Sequence, residues 1–158
     1  MNIGGISNIT STVDWHNLSN AINRINAYDI GPGNCLIDEW IRKNSKKKYD
    51  EGGLIARSGT IDKLILNQAL DNFTENSNYK KSLDIKDFDI FFAKGLSLEN
   101  GASTITEFTA KLIADGMSYA HTKTKSNNQN WLVCGGGRKN KYLLEEIEKN
   151  FEKINIKL

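Results

Sequence analysis

The sequence has 158 residues, a quarter of them charged, and a formal net charge of only +2. A chain of this length can bury a real core, as one domain or as one lobe of a larger protein. The small net charge gives no field that would attract nucleic acid or an acidic membrane surface, and no apolar run approaches the roughly 18 residues of a membrane span. We therefore expect a soluble cytoplasmic protein with no nucleic-acid or membrane partner. Cys35 and Cys134 lie in apolar surroundings without metal-like spacing, which predicts small buried thiols.

The first predicted elements are two short strands joined by a glycine turn, within Asn2 to Thr10. Paired glycines leave backbone N–H groups and small polar side chains free to meet an anion. Taken alone, the pattern favours a plain hairpin without a ligand. The candidate anion-binding residues are Gly4, Gly5, Ser7 and Asn8.

A third strand, Ala27 to Ile30, is predicted to run through a glycine-proline loop into a helix with an apolar stripe. The only proline of the chain, Pro32, fixes one dihedral angle of this loop, so the loop has a defined shape. Asp29 at the strand end could hold a metal-bound water or a hydroxyl group, and the helix N-terminus would favour a phosphate. Asp29 could equally be a turn or cap acceptor. The candidate residues of this loop are Asp29, Gly31, Gly33 and Asn34.

Helices are predicted over about residues 50–125. One begins at Thr60 with Leu64 and Leu66 among its inward residues, and a short aromatic helix spans Asp87 to Lys94. A longer helix is predicted from Thr104 to Ala120, with Thr104 and Glu107 spaced as a capping box.

The last predicted unit is a strand, a glycine turn, a helix and a strand. Trp131 to Cys134 is an apolar run typical of a strand buried on both faces. Gly135, Gly136 and Gly137 follow it, and they either admit a flat ligand to the backbone or only relieve strain at a turn. Asn140 is available to cap the helix that follows, and the segment from Ile154 to Leu158 alternates like a strand.

In this order the elements resemble the ribonuclease-H-like layout of an actin, sugar-kinase or heat-shock ATPase lobe, an α/β fold with a mixed sheet flanked by helices. The motifs also resemble one family, the anhydro-N-acetylmuramic acid kinases, in their second, nucleotide-binding lobe. Five blocks carry this resemblance in the right order over nearly the whole chain: residues 2–10, 28–40, 81–88, 101–110 and 133–140. The chain is then a single lobe over residues 1–158, with a helical insertion at about 50–125.

The resemblance implies a chemistry. Members of this family use ATP and Mg²⁺ to open a 1,6-anhydro sugar and phosphorylate it, giving N-acetylmuramic acid 6-phosphate in peptidoglycan recycling. It places Gly4, Gly5, Ser7 and Asn8 in the second phosphate-binding hairpin. Gly135 to Gly137 match the adenosine turn, which Asn140 follows, and the loop from Asp29 to Asn34 is expected near the phosphates and the metal. Such chemistry depends on positioning and charge neutralisation, so glycine turns are the matching parts.

The resemblance also has gaps. The catalytic aspartate and first phosphate loop of the family precede the matched blocks, so we assign no catalytic residue and no metal ligand in this chain. Ile85 stands where the family has an arginine. We therefore expect the chain alone to be inactive as an enzyme, and to partner a missing lobe or self-associate through an exposed apolar seam. The alternative is a non-catalytic actin-like or sugar-kinase-like module that binds a nucleotide or a protein; a ribonuclease-H-like nuclease is a weaker reading, because the first strand lacks a metal-binding acid.

Overall fold

The computed structural model describes residues 1–11, 25–76, 79, 82–124 and 131–152. The strand predicted from Ile154 to Leu158 lies outside the described residues. Within them the chain is a mixed α/β structure with three strands and five α-helices. The strands are β1 (Asn2–Ile3), β2 (Ile6–Ser11) and β3 (Asn26–Pro32). The helices are α1 (Cys35–Asn44), α2 (Leu54–Ser58), α3 (Lys63–Asn76), α4 (Leu98–Thr124) and α5 (Lys141–Glu152).

The sheet has the order β1-β2-β3, and both pairings are antiparallel. The segment 131–134 runs parallel to β1 on its other side, through a single bridge between Asn2 and Cys134. Ile3 donates its backbone N–H to the Cys134 carbonyl at 2.9 Å, and Cys134 donates to the Met1 carbonyl at 2.9 Å. The prediction of a strand buried on both faces is wrong here, because Leu132 is 81% exposed. Cys134 is exposed as well, and only Cys35 is the buried thiol that we expected.

Helix α4 forms the centre of the core, since it packs against β2, β3 and the other four helices. Two of its glycines allow close approach. A side chain at Gly116 would lie 2.5 Å from Ile30 of β3, and one at Gly101 would overlap the Trp40 ring of α1. Trp40 also donates its indole N–H to the Leu98 carbonyl at 2.9 Å. These contacts fix β3 and α1 on opposite stretches of the same helix.

The long helix begins six residues before its predicted start at Thr104. Ser97 accepts a hydrogen bond from the Asn100 N–H at 3.2 Å and caps the true N-terminus. Thr104 is therefore interior, where its hydroxyl donates to the Asn100 carbonyl at 2.8 Å. The spacing of Thr104 and Glu107 fits a capping box, but Glu107 is buried and serves a helix–helix contact instead.

Two other helix predictions also need correction. Asp62 accepts from the N–H groups of Leu64 and Ile65, so α3 begins at Lys63 rather than Thr60 and leaves Leu64 73% exposed. The aromatic helix predicted from Asp87 to Lys94 is replaced by two 3₁₀ turns, Ile85–Asp87 and Phe91–Ala93. Aspartate side chains accept local N–H groups at both turns and end the helical path.

Candidate functional site

The glycine hairpin and the loop before α1 are joined by backbone hydrogen bonds. Gly33 donates to the Gly5 carbonyl at 2.8 Å, Asn34 donates to the Gly4 carbonyl at 2.8 Å, and Cys35 donates to Gly5 at 3.2 Å. A side chain at Gly33 would overlap the Gly4 carbonyl. The buried Ser7 hydroxyl donates to the Pro32 carbonyl at 3.2 Å. These three N–H groups at the start of α1 already have acceptors within the chain, so a phosphate there would have to use other donors.

The third glycine segment packs against β1. Gly135 has a φ of +84°, a conformation that favours glycine, and a side chain there would overlap the Ile3 carbonyl. Gly137 is buried, and a Cβ on it would lie 2.7 Å from the Cβ of Ile3. Gly136 is different because it is exposed, and the nearest atom to a Cβ placed on it is the Asn34 side-chain nitrogen at 3.7 Å.

The structure thus brings the hairpin, the loop before α1 and the glycine turn together at one end of the sheet. It also divides their glycines into two groups. At Gly33, Gly135 and Gly137 neighbouring protein atoms occupy the space that a side chain would need. Gly5 and Gly136 are exposed instead. Asn34 begins α1 without a side-chain capping bond, so its carboxamide is not used by the helix.

Two other predicted residues have roles inside the fold. Asn140 is buried and caps α5, because its Oδ1 accepts from the Leu143 N–H at 3.0 Å. This confirms the predicted cap. Gly31 packs against Leu112 of α4.

Asn8 and Asp29 face each other across β2 and β3, next to a register shift between Ser7 and Asn8. Both residues border a cavity of about 250 Å³ with Tyr28 and Tyr79. Burial, followed by the proximity of Tyr119, raises the pKa of Tyr28 to about 12. Burial, followed by the proximity of Asp115 and Tyr119, likewise raises the pKa of Tyr79 to about 12. Both phenols are neutral donors near pH 7.

A larger cavity of about 760 Å³ lies beside the first and was not predicted from the sequence. Asp29 borders both cavities. The phenylalanines that line the larger one come from three separate stretches of the chain, so no single spacing in the sequence groups them all: Phe73, Phe88, Phe91, Phe92 and Phe108.

No group of three or more His, Cys, Asp or Glu residues in the described part of the chain is arranged to hold a metal ion. None of the helices described is long and apolar enough to cross a membrane.

These features define a mixed α/β protein whose glycine turns meet at one end of a small sheet. A family model described as anhydro-N-acetylmuramic acid kinase matches residues 1–158. The chain belongs to this family, as the resemblance of its motifs predicted.

Relatives of the same name match nearly all of the chain. One from Pelagibacter ubique (strain HTCC1062) is 46% identical over 154 residues, which is 97% of this chain and 40% of the relative. One from Rhizorhabdus wittichii is 37% identical, over 93% of this chain and 38% of the relative. One from Agrobacterium fabrum is 36% identical, over 93% and 36%. The chain therefore spans about two fifths of the length of these relatives or slightly less.

Proposed function

We propose that this chain is the nucleotide-binding part of an ATP-dependent kinase that converts 1,6-anhydro-N-acetylmuramic acid to N-acetylmuramic acid 6-phosphate in peptidoglycan recycling in the cytoplasm. The family membership supports the reaction. One structural observation supports the part played by this chain: Gly5 and Gly136 are exposed on neighbouring loops, with the uncommitted carboxamide of Asn34 beside Gly136. In this proposal the fold is a ribonuclease-H-like lobe.

The arrangement suits ATP in two ways. Gly136 leaves space in which a flat purine ring can approach the backbone, while the Gly4–Gly5 turn would contribute phosphate contacts. The N–H groups of Gly4, Gly33, Asn34 and Cys35 are bonded within the chain, so the anion contacts would come from Gly5 of the hairpin and from side-chain amides. ATP supplies the phosphoryl group, and this chain would orient it.

Mg²⁺ would be held mainly by the phosphate groups of ATP. The metal demands few protein ligands and keeps several of its waters, so it is commonly held through substrate phosphates and one or two carboxylates. In the described part of the chain no acidic cluster forms a cage for it. Asp29 is the carboxylate nearest the predicted phosphate loops in sequence, but its Oδ2 accepts from the Leu83 N–H at 2.9 Å.

The partners of this chain follow from the share of its relatives' length that it covers. The rest of a kinase of this family would supply the catalytic base, the first phosphate loop and most of the sugar site. Binding by this chain alone is then weak, near the millimolar end, because each 1.4 kcal/mol of lost contact lowers affinity tenfold.

An NMR titration of the chain with ATP and Mg²⁺ tests the proposal. We expect shift changes at residues 4–8 and 135–140. The Gly136→Val variant should lose these changes, because its side chain fills the open face. The substitution should not disturb the fold, because its Cβ would meet no neighbouring protein atom closer than 3.7 Å.

The matched control is Gln68→Val, which adds the same side chain to an exposed position on α3. It should bind as the unaltered chain does. Shift changes confined to the exposed lysines at 46–48 would show only polyanion binding and would contradict the proposal.

A further inference from the structure

The Asp29 side chain reaches a segment 54 residues away in the sequence. Its Oδ2 accepts a hydrogen bond from the Leu83 backbone N–H at 2.9 Å. Both groups are partly buried. Removal of this acceptor would therefore leave the Leu83 N–H without a hydrogen-bond partner at a site that is partly shielded from water. This bond ties β3 to the start of the segment 82–88, which we call the partition segment.

The partition segment has its own rigid turn. Asp84 accepts from the Lys86 N–H at 2.9 Å, and the Asp84 N–H donates to the Asp87 carboxylate at 2.7 Å. The two side chains form a reciprocal capping box around the 3₁₀ turn Ile85–Asp87. The segment can therefore dock as a preformed unit rather than as a loose loop.

The docked turn lies beside the glycine hairpin. A Cβ on Gly5 would lie 3.6 Å from the Cδ1 atom of Ile85, which is ordinary van der Waals contact. Ile85 is 55% exposed and Gly5 is exposed, so this contact is small and cannot by itself hold the segment in place. Leu83, Asp87 and Phe88 line the 760 Å³ cavity, so the partition segment borders both this cavity and the turn.

We propose that Asp29 is a positioning residue that holds the partition segment, and with it Ile85, as a wall beside the phosphate end of the nucleotide site. The inference rests on the proposed function for the identity of the ligand. In this role Asp29 acts through a hydrogen-bond acceptor atom, and its negative charge is not required. A metal ligand or a proton acceptor would require the charge.

This difference gives a test with two variants of the full chain. Asp29→Asn keeps an acceptor oxygen and removes the charge, whereas Asp29→Ala removes both. Hydrogen exchange without nucleotide reports the docking of the segment, and titration with ATP and Mg²⁺ or with adenosine reports the site. Circular dichroism confirms that each variant is folded.

In Asp29→Ala we expect the Leu83 amide to exchange about tenfold faster, as a lost acceptor for a partly buried donor implies. ATP binding should weaken several-fold more than adenosine binding. Asp29→Asn should restore Leu83 protection and ATP affinity to within about twofold. An Ile85→Ala variant should weaken ATP binding while Leu83 exchange stays unchanged.

Two outcomes overturn the inference. One is a folded Asp29→Ala variant with unchanged Leu83 exchange and unchanged ATP affinity. The other is an Asp29→Asn variant in which Leu83 stays protected but Mg²⁺-dependent ATP binding is lost, which would make Asp29 a direct ligand. If the unaltered chain bound no ATP, the proposed function would fail, whereas the exchange rates would still decide whether Asp29 holds the segment.

Discussion

Substitution by alanine, which adds one methyl group, should distinguish the buried Gly137 from the exposed Gly136 by its effect on stability. We expect Gly137→Ala to destabilise the chain by about 1–3 kcal/mol, because its Cβ would lie 2.7 Å from that of the fully buried Ile3. Gly136→Ala has open space and should change stability by less than about 0.5 kcal/mol. Urea unfolding measures both. Equal losses would contradict the division of the glycine turn into two roles.

The sequence could predict that residues 135–137 form a turn, because three glycines follow an apolar run. It could not predict which glycine faces outward, because that depends on Ile3 and Asn34, which lie more than 100 residues away in the chain. The same limit applies to Asp29. Its two possible roles were both visible in the sequence, but its bond to Leu83 exists only in the folded chain.

The contact between α4 and α5 contains two buried carboxyl groups. Glu107 and Glu146 are both nearly inaccessible, and the Asn150 amide lies 3.3 Å from each Glu107 oxygen. Lys149 pairs with Glu146 at 2.6 Å, and Lys111 lies 3.8 Å from Glu107. Burial is the main cause that raises the pKa of Glu107 above 4.5, and Glu146 adds to it, while Asn150 and Lys111 oppose the shift.

The raised pKa fixes the sign of a pH effect. The folded state favours protonated Glu107, so its contribution to stability is complete below pH 4.5 and is lost as the pH rises through the raised pKa. Glu107→Gln cannot ionise, so its stability relative to the unaltered chain should rise as the pH goes from 4.5 to neutral. Urea unfolding across this range measures the gain.

Glu148→Gln is the control for this prediction, because Glu148 is exposed and lies on the neighbouring helix α5. Its stability should follow that of the unaltered chain at every pH. A Glu107→Gln curve that also runs parallel to the unaltered chain would contradict the role assigned to the buried pair.

Apolar periodicity predicted the positions of the helices more accurately than their first residues. The apolar stripe predicted for the helix after the glycine-proline loop is the buried face of α1. The first residues of α3 and α4, in contrast, depend on single polar side chains. Ser97 and Asp62 cap α4 and α3 at positions that differ from the predicted starts. The predicted aromatic helix is wrong for the same reason, since Asp84 and Asp89 accept N–H groups of two short turns, one at its predicted start and one inside it.

At the scale of the whole molecule, several large apolar side chains are exposed. Leu132 is 81% exposed, Leu64 73% and Phe91 71%. Exposed apolar surface recruits partners when it is contiguous. We expect the chain to self-associate at about 0.1 mM, within the range where such surface drives association. Sedimentation measures this, and Leu132→Ser should reduce it. A clean monomer at that concentration would count against an apolar seam.

The family membership was predictable because five motif blocks keep their order along the chain. The arrangement of the sheet was only partly predictable. The hairpin and β3 follow from local alternation and turn residues, whereas the parallel bridge between Asn2 and Cys134 joins residues that are 132 positions apart. No local pattern records such a pairing.

In the proposed function, this chain performs the nucleotide-binding part of the family's reaction. The most direct measurement replaces the matching segment of the Pelagibacter ubique relative, 46% identical over 154 residues, with this chain. Release of ADP that depends on the anhydro sugar is then measured for the chimera and for the chain alone. We predict release by the chimera, its loss in the Gly136→Val chimera, and none by the chain alone. A folded chimera without activity beside an active parent enzyme, or sugar-dependent release by the chain alone, would contradict the account.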